Sequence, residues 1–171
     1  MYTDEFDQRV VAREGLALEV RSLRGSDAPL LARFFAALSP ASRSTFRPHT
    51  YTPEGAAEVV RAAAGPNGIY FLALAPDGEP AGYGFLHRLD RGVPTLGIAV
   101  ADAWQDRGAG RGLVAFLVDV ARRLGKEAVD LTVDEDNPRA IHVYEANGFR
   151  LVRKIREMRR TLEEDGATRG P

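Results

Sequence analysis

The 171-residue sequence contains no cysteine, which excludes disulfides, thiolate nucleophiles and cysteine metal sites. Net charge is nearly absent as well: 23 Lys and Arg stand against 24 Asp and Glu, for a formal charge of -1. Such a balance offers little attraction to bulk nucleic acid or an anionic membrane. No apolar run approaches the ~18 residues of a membrane span, and the acidic start MYTDEFD does not read as a signal peptide. The expectation is a soluble cytoplasmic protein that binds neither nucleic acid nor membrane and holds no metal. A chain of this length can bury a core without staples.

What is present is punctuation and periodicity. No repeat or linker divides the chain, so one domain over residues 9–162 is expected, with flexible tails at 1–8 and 163–171. RVVA (Arg9–Ala12), the turn Arg13-Glu14-Gly15 and the alternation of Leu16, Leu18 and Val20 predict a first hairpin. A helix from about Ser26 carries Leu30, Leu31, Phe34, Phe35 and Leu38 at helical spacing, and Ser39-Pro40 stops it. Thr52-Pro53 opens another helix, which Gly65-Pro66-Asn67-Gly68 ends. Ile69–Ala75, Ala81–Arg88 and Thr95–Val100, joined by Pro76-Asp77-Gly78 and Asp90-Arg91-Gly92, read as an antiparallel meander.

The second half continues with Leu113, Phe116, Leu117, Val120 and Leu124, one helical stripe closed by Gly125. Val129, Leu131 and Val133 alternate with Asp130 and Thr132 as in a half-buried strand. A helix then runs from Asn137-Pro138 to Gly148, and Phe149–Met158 completes the sheet. The fold class expected is α/β (α+β), with a mixed central sheet flanked by helices.

Between the meander and the striped helix stands WQDRGAGRGL (Trp104–Leu113), with three glycines at a helix mouth, where glycine is entropically costly. No Lys-Ser/Thr follows, as a P-loop would require. Gly108 and Gly110 fit the start of G-x-G-x-x-G, but Leu113 takes the third place, and Asp130 lies within an alternating strand. Two readings remain: a tight turn without a ligand, or a cradle in which free N–H groups and the helix dipole hold a pyrophosphate.

Gln105-Asp106-Arg107-Gly108-Ala109-Gly110 matches Q/R-x-x-G-x-G/A, and DNPRAIHVYEANGF (Asp136–Phe149) matches N-x-x-A-x-x-x-Y-x-x-x-G-F. In this order and spacing the two motifs resemble the signatures of the GNAT superfamily of acyl-CoA-dependent N-acetyltransferases, over roughly Leu16 to Leu162. The resemblance implies an acetyl-CoA cleft between splayed strands, here Thr95–Val100 and Glu127–Val133. Ile98, Ala99 and Val100 would meet the pantetheine arm by main chain, as an added strand does. Gln105 and the N–H groups of Arg107, Gly108, Ala109, Gly110, Arg111 and Gly112 would form the pyrophosphate loop. The arginines either add charge near the phosphates or are simply solvated. Asn137 and Tyr144 lie almost two turns apart on one helical stripe. Asn137 serves as an N-cap and, by resemblance, as a cosubstrate contact. Tyr144 is either a core tyrosine or, by resemblance, a cosubstrate contact and the acid that protonates the departing thiolate.

The chain departs from the family in two places. Many members carry a glutamate base near the strand before the loop, but TLGIAV has no carboxylate. His87, Asp102 or a water chain are the remaining proton acceptors, and His87 shares a strand face with Tyr83 and Phe85. His49 and Tyr51, within FRPHTYTPE, are the candidate acceptor contacts, and Trp104 is expected to pack. LARFFAALSPASR (Leu31–Arg43) is also similar to a segment of GNAT domains in bacterial protein-lysine acetyltransferases. Second, FRLVRKIREMRRTL (Phe149–Leu162) has no good turn residue for a closing hairpin: either poor turn formers near Lys154–Glu157 make the turn, or one long strand leaves an edge that a homodimer would cover, and the dimer is the expectation. The function implied is acetyl transfer to an amine; the alternatives are an acyl-CoA sensor that transfers nothing and a nucleotide-binding domain.

Overall fold

The computed structural model describes residues 4–11, 15, 17–46, 48–156 and 158. Five strands form an antiparallel sheet in chain order: β1 (Gln8–Val11), β2 (Ala17–Ser22), β3 (Gly68–Leu74), β4 (Pro80–His87) and β5 (Thr95–Val100). The strands pair as the hairpin and the meander readings predict, while Arg13 and Glu14 of the first predicted turn lie outside the described residues. α1 (Ala28–Ala37), α2 (Pro40–Thr45) and α3 (Pro53–Ala63) lie between β2 and β3. α4 (Ala109–Arg123) and α5 (Pro138–Glu145) follow β5.

Period-two alternation gives each face of the sheet its own core. On one side Phe71, Ala73, Leu86 and Leu96 meet Leu113, Phe116, Leu117 and Val120 of α4. On the other side Tyr70, Leu72, Tyr83 and Phe85 meet Leu31, Phe34 and Phe35 of α1 and Val59 and Val60 of α3. Trp104 packs against both cores and so serves the structural role expected of it.

Four segments differ from the sequence reading. Residues 4–8 are not a loose tail: Phe6 is buried beneath the Arg123 guanidinium and edge-on to Phe71. Ser39-Pro40 ends α1 but also begins α2, because Ser39 Oγ accepts the Ser42 N–H and proline suits the first helical turn. Among the described residues no strand follows β5. Among the described residues the alternating segment 127–133 contributes a single parallel bridge, Asp130 to Thr95, and residues 149–156 show no pairing with the sheet. Alternation marks a half-buried face, but a strand also needs a partner along its length. The expected tail at 163–171 lies outside the described residues. No helix among them is long and apolar enough to cross a membrane.

Candidate active site

The outer edge of β5 is the organising feature. Leu96 N–H donates to Asp130 O at 2.8 Å, and Asp130 N–H to Pro94 O at 3.0 Å. Beyond this bridge the pairing stops among the described residues, so β5 and the segment 131–134 part company. Strand alternation turns the main-chain groups of Ile98 and Val100 to the same outer side as Leu96. Those of Ala99 face β4, where it stands opposite Tyr83. Of the three residues expected to offer main-chain contacts, two therefore present them. The Val100 carbonyl is already engaged, accepting from Gln105 Nε2 at 3.0 Å.

The first turn of α4 lies against this edge: a Cβ on Gly110 would sit 3.6 Å from Val100 Cγ2 and 3.9 Å from Ile98 Cδ1. Gly108 caps the helix with φ 84°, a left-handed conformation that favours glycine. The Gly112 N–H donates to Gly108 O and is spent within the helix. It is not available to a phosphate, contrary to the sequence expectation. The N–H groups of Gly108, Ala109, Gly110 and Arg111 precede the first helical bond and have no partner within the helix. Arg107 and Arg111 are exposed, and the Arg107 guanidinium lies 5.9 Å from the Trp104 ring.

Gln105 holds the loop. Its Nε2 also donates to Asp102 Oδ1 at 3.0 Å and Ser42 Oγ at 3.1 Å, and its Oε1 accepts from Arg139 Nη1 on α5. Asp102 further accepts from Ser42 Oγ at 2.6 Å and from Ser39 N–H at 2.7 Å. These bonds, the Ser42 hydroxyl's first, hold the Asp102 carboxyl below its ordinary range. A carboxylate so committed is a clamp rather than the proton acceptor it was a candidate for. Neither Ser42 nor Arg139 stands out in the sequence as a site residue, because their roles depend on folding distant segments together.

α5 brings in the second signature. Asn137 caps it, its Oδ1 accepting the Ala140 N–H at 3.1 Å. Gly148, at φ 85°, closes it, with the Phe149 N–H returning to Tyr144 O at 3.1 Å. Tyr144 packs against the α4-side core and edge-on to Phe149. Burial pushes its hydroxyl up to about 12, so it is a proton donor at neutral pH.

On the opposite face of the sheet His49, Tyr51, Tyr83, Phe85 and His87 come together. His49 Nε2 lies 3.1 Å from the Tyr83 hydroxyl, which burial keeps protonated. Burial, with the nearby His87, brings His49 down to about 4. The His87 ring stacks on Phe85 with centroids 4.0 Å apart, and its Nε2 is buried without a partner. Burial, then the neighbouring Arg88, lowers it as well. The Tyr51 hydroxyl is likewise buried and unpartnered, raised to about 12 by burial. Gly97 on β5 admits this packing, since a Cβ there would lie 2.3 Å from the Phe85 ring. Among the described residues no group of three or more metal-ligating side chains converges.

The sequence matches the acetyltransferase (GNAT) family over residues 32–149. The chain belongs to that family and is an acyltransferase. Its fold is similar to the GNAT domain of PAT from S. lividans, at 22% identity and a TM-score of 0.78, covering 92% of this chain and 95% of that one. It is also similar to a GNAT-family acetyltransferase from Streptococcus pneumoniae (24% identity, TM-score 0.60, 77% and 83% covered). A third likeness is to spermidine N-acetyltransferase from Vibrio cholerae in complex with CoA and spermine (20% identity, TM-score 0.65, 77% and 79% covered). No curated protein matches the sequence.

Proposed function

We propose that this chain is an N-acetyltransferase that moves an acetyl group from acetyl-CoA to a primary amine by direct attack. One observation carries the reading: among the described residues β5 has no outer partner beyond the Thr95–Asp130 bridge, next to the open N-terminus of α4. Unpaired main-chain donors then run from the helix mouth along the strand, matched to a ligand with phosphates at one end and amides along its arm. The Vibrio cholerae relative, which holds CoA and spermine, supports an acyl-CoA and an amine as the pair of ligands for this fold.

In this reading the N–H groups of Arg107, Gly108, Ala109, Gly110 and Arg111 hold the pyrophosphate, aided by the two arginine side chains. Gln105 keeps the loop in place. Ile98 and Val100 pair with the pantetheine arm, and Asn137, its carbonyl oxygen spent on the cap, offers its amide hydrogens. Acetyl-CoA supplies the activated thioester. The amine nitrogen bonds to the thioester carbon, the C–S bond breaks, and the Tyr144 hydroxyl gives its proton to the leaving thiolate. His87 Nε2, neutral at pH 7, accepts the proton the amine must lose, and His49 and Tyr51 wall the acceptor side. The working unit is a single domain over residues 9–162, assembled as a homodimer in the cytoplasm. An acetyl-CoA consumption assay across an amine panel tests the reaction. Amine-dependent CoA release is expected; no release with any amine overturns it.

A further inference from the structure

α5 carries the Tyr144 hydroxyl, yet little holds this helix in place. It buries none of its residues fully, whereas α4 buries seven. Val143 and Tyr144 give it a half-buried contact with the α4-side core. At eight residues it is shorter than the roughly 12–15 that an isolated helix needs to be stable. Its flanks add little support. Among the described residues, 131–134 and 149–156 show no sheet pairing, and Lys154 bonds Glu135, joining the two flanks to each other. The polar link from α5 to the rest of the fold comes from Arg139. Its guanidinium donates to Gln105 Oε1 and lies 3.9 Å from Asp106 Oδ2, both on the loop before α4. The Gln105 amide has one workable orientation here. Turned over, its NH2 would face the guanidinium and its Oε1 the Asp102 carboxylate.

We propose that Arg139 is a positioning residue for acyl transfer: it tethers α5 to the loop before α4 and so keeps the Tyr144 hydroxyl in register with that loop. The positioning role rests on the transferase reading above, in which Tyr144 is the acid; the tether does not. Arg139 acts through α5, and a small displacement of an acid matters, since a misplacement of about 1 Å can cost on the order of 100-fold in rate. The arrangement separates two functions on one loop. Without the Gln105 side chain, Asp106 still holds the guanidinium, so α5 stays tethered. Without the guanidinium, the Gln105 amide keeps its bonds to Val100, Asp102 and Ser42, so the loop stays in place.

Arg139→Met keeps most of the stem and removes the donors. Hydrogen exchange of the full chain without acetyl-CoA should show the α5 amides from Ile141 to Ala146 exchanging at least about fivefold faster, with α4 unchanged. In turnover with acetyl-CoA and the best amine of the panel, kcat should fall roughly three- to tenfold while the KM for acetyl-CoA stays within about twofold. Arg139→Lys, which keeps a charged donor without the planar fork, should fall between wild type and Arg139→Met in both measurements. Unchanged exchange in α5, or equally faster exchange in α4, overturns the tether. Faster α5 exchange with a wild-type kcat, or with a loss expressed in KM alone, overturns the positioning role. If the wild-type chain transfers to no amine, the transferase reading fails, and exchange alone decides whether Arg139 tethers α5.

Discussion

The Gln105 side-chain amide donates to the main-chain carbonyl of Val100 at 3.0 Å. Through Asp102 and Ser42 the same amide ties the loop before α4 to α2, on the far side of the molecule in sequence. Gln105→Ala should therefore loosen the loop without touching any reacting atom. A net hydrogen bond contributes about 1 kcal/mol, so the KM for acetyl-CoA should rise roughly two- to tenfold while kcat changes little. Steady-state kinetics check this; an equal fall in kcat with KM unchanged would place Gln105 in the chemistry instead.

The two loop glycines should respond differently. Gly108 has φ 84°, so Gly108→Val strains the backbone and should cost both stability, by roughly 1–3 kcal/mol, and acetyl-CoA affinity. Gly110 has no such φ, and a Cβ there meets Ile98 and Val100 only at ordinary contact distance. Gly110→Ala should then keep the melting temperature while its methyl group hinders approach to the helix mouth. Calorimetric titration with acetyl-CoA beside thermal unfolding separates the two effects. An unchanged affinity in folded Gly110→Ala would move the phosphates off this turn.

Tyr144→Phe keeps the packing against Phe149 and removes only the hydroxyl. The expected fall in kcat is about 10- to 1,000-fold, with acetyl-CoA affinity nearly unchanged. With the hydroxyl at about 12, its ionisation cannot shape the rate profile below roughly pH 11. If kcat stays at the wild-type value with chemistry rate-limiting, Tyr144 is a packing residue.

What the sequence displayed and what it hid divide on locality. Thr52, Asn137, Gly125 and Gly148 act within a turn of their own positions, and each caps a helix as its residue type suggests. Ser39-Pro40 carried two signals, and reading only the stop concealed α2. His49 was visible as a loop residue, but its bond to Tyr83, 34 positions away, depends on α1 and α3 folding the loop over the sheet. Asp102 looked free to accept a proton until Ser39 and Ser42 arrived beside it.

The final described segment bears on assembly. Leu151, Val152, Ile155 and Met158 are 78%, 88%, 59% and 91% exposed. Exposed apolar side chains gathered in one segment favour a covering partner, and a second copy of the chain is the partner proposed. Sedimentation should show a dimer at micromolar concentration, and truncation after Arg153 should abolish it. A monomeric full-length chain under those conditions would overturn the assembly.

Acid should weaken the fold in two stages, because two kinds of group hold fewer protons folded than unfolded. His49 falls from 6.5 to about 4 on folding, and His87 is lowered too. Between those values the unfolded chain takes up protons that the folded chain refuses, so stability present above about pH 6.5 is lost progressively towards pH 4, by up to about 3 kcal/mol for His49. Asp27 acts lower. Burial alone would raise it, but Arg21, donating at 2.6 and 2.9 Å, and the Arg24 N–H hold it below its ordinary 3.8. Its contribution persists above pH 3.8 and is lost as pH falls through the depressed value. His49→Phe should lower stability at pH 7.5 by about 1–3 kcal/mol, since it removes the partner of the Tyr83 hydroxyl. It should also flatten the dependence between pH 6.5 and 4. Urea unfolding at several pH values measures both changes, and a wild-type slope retained in His49→Phe would show that the imidazole titrates as if it were exposed.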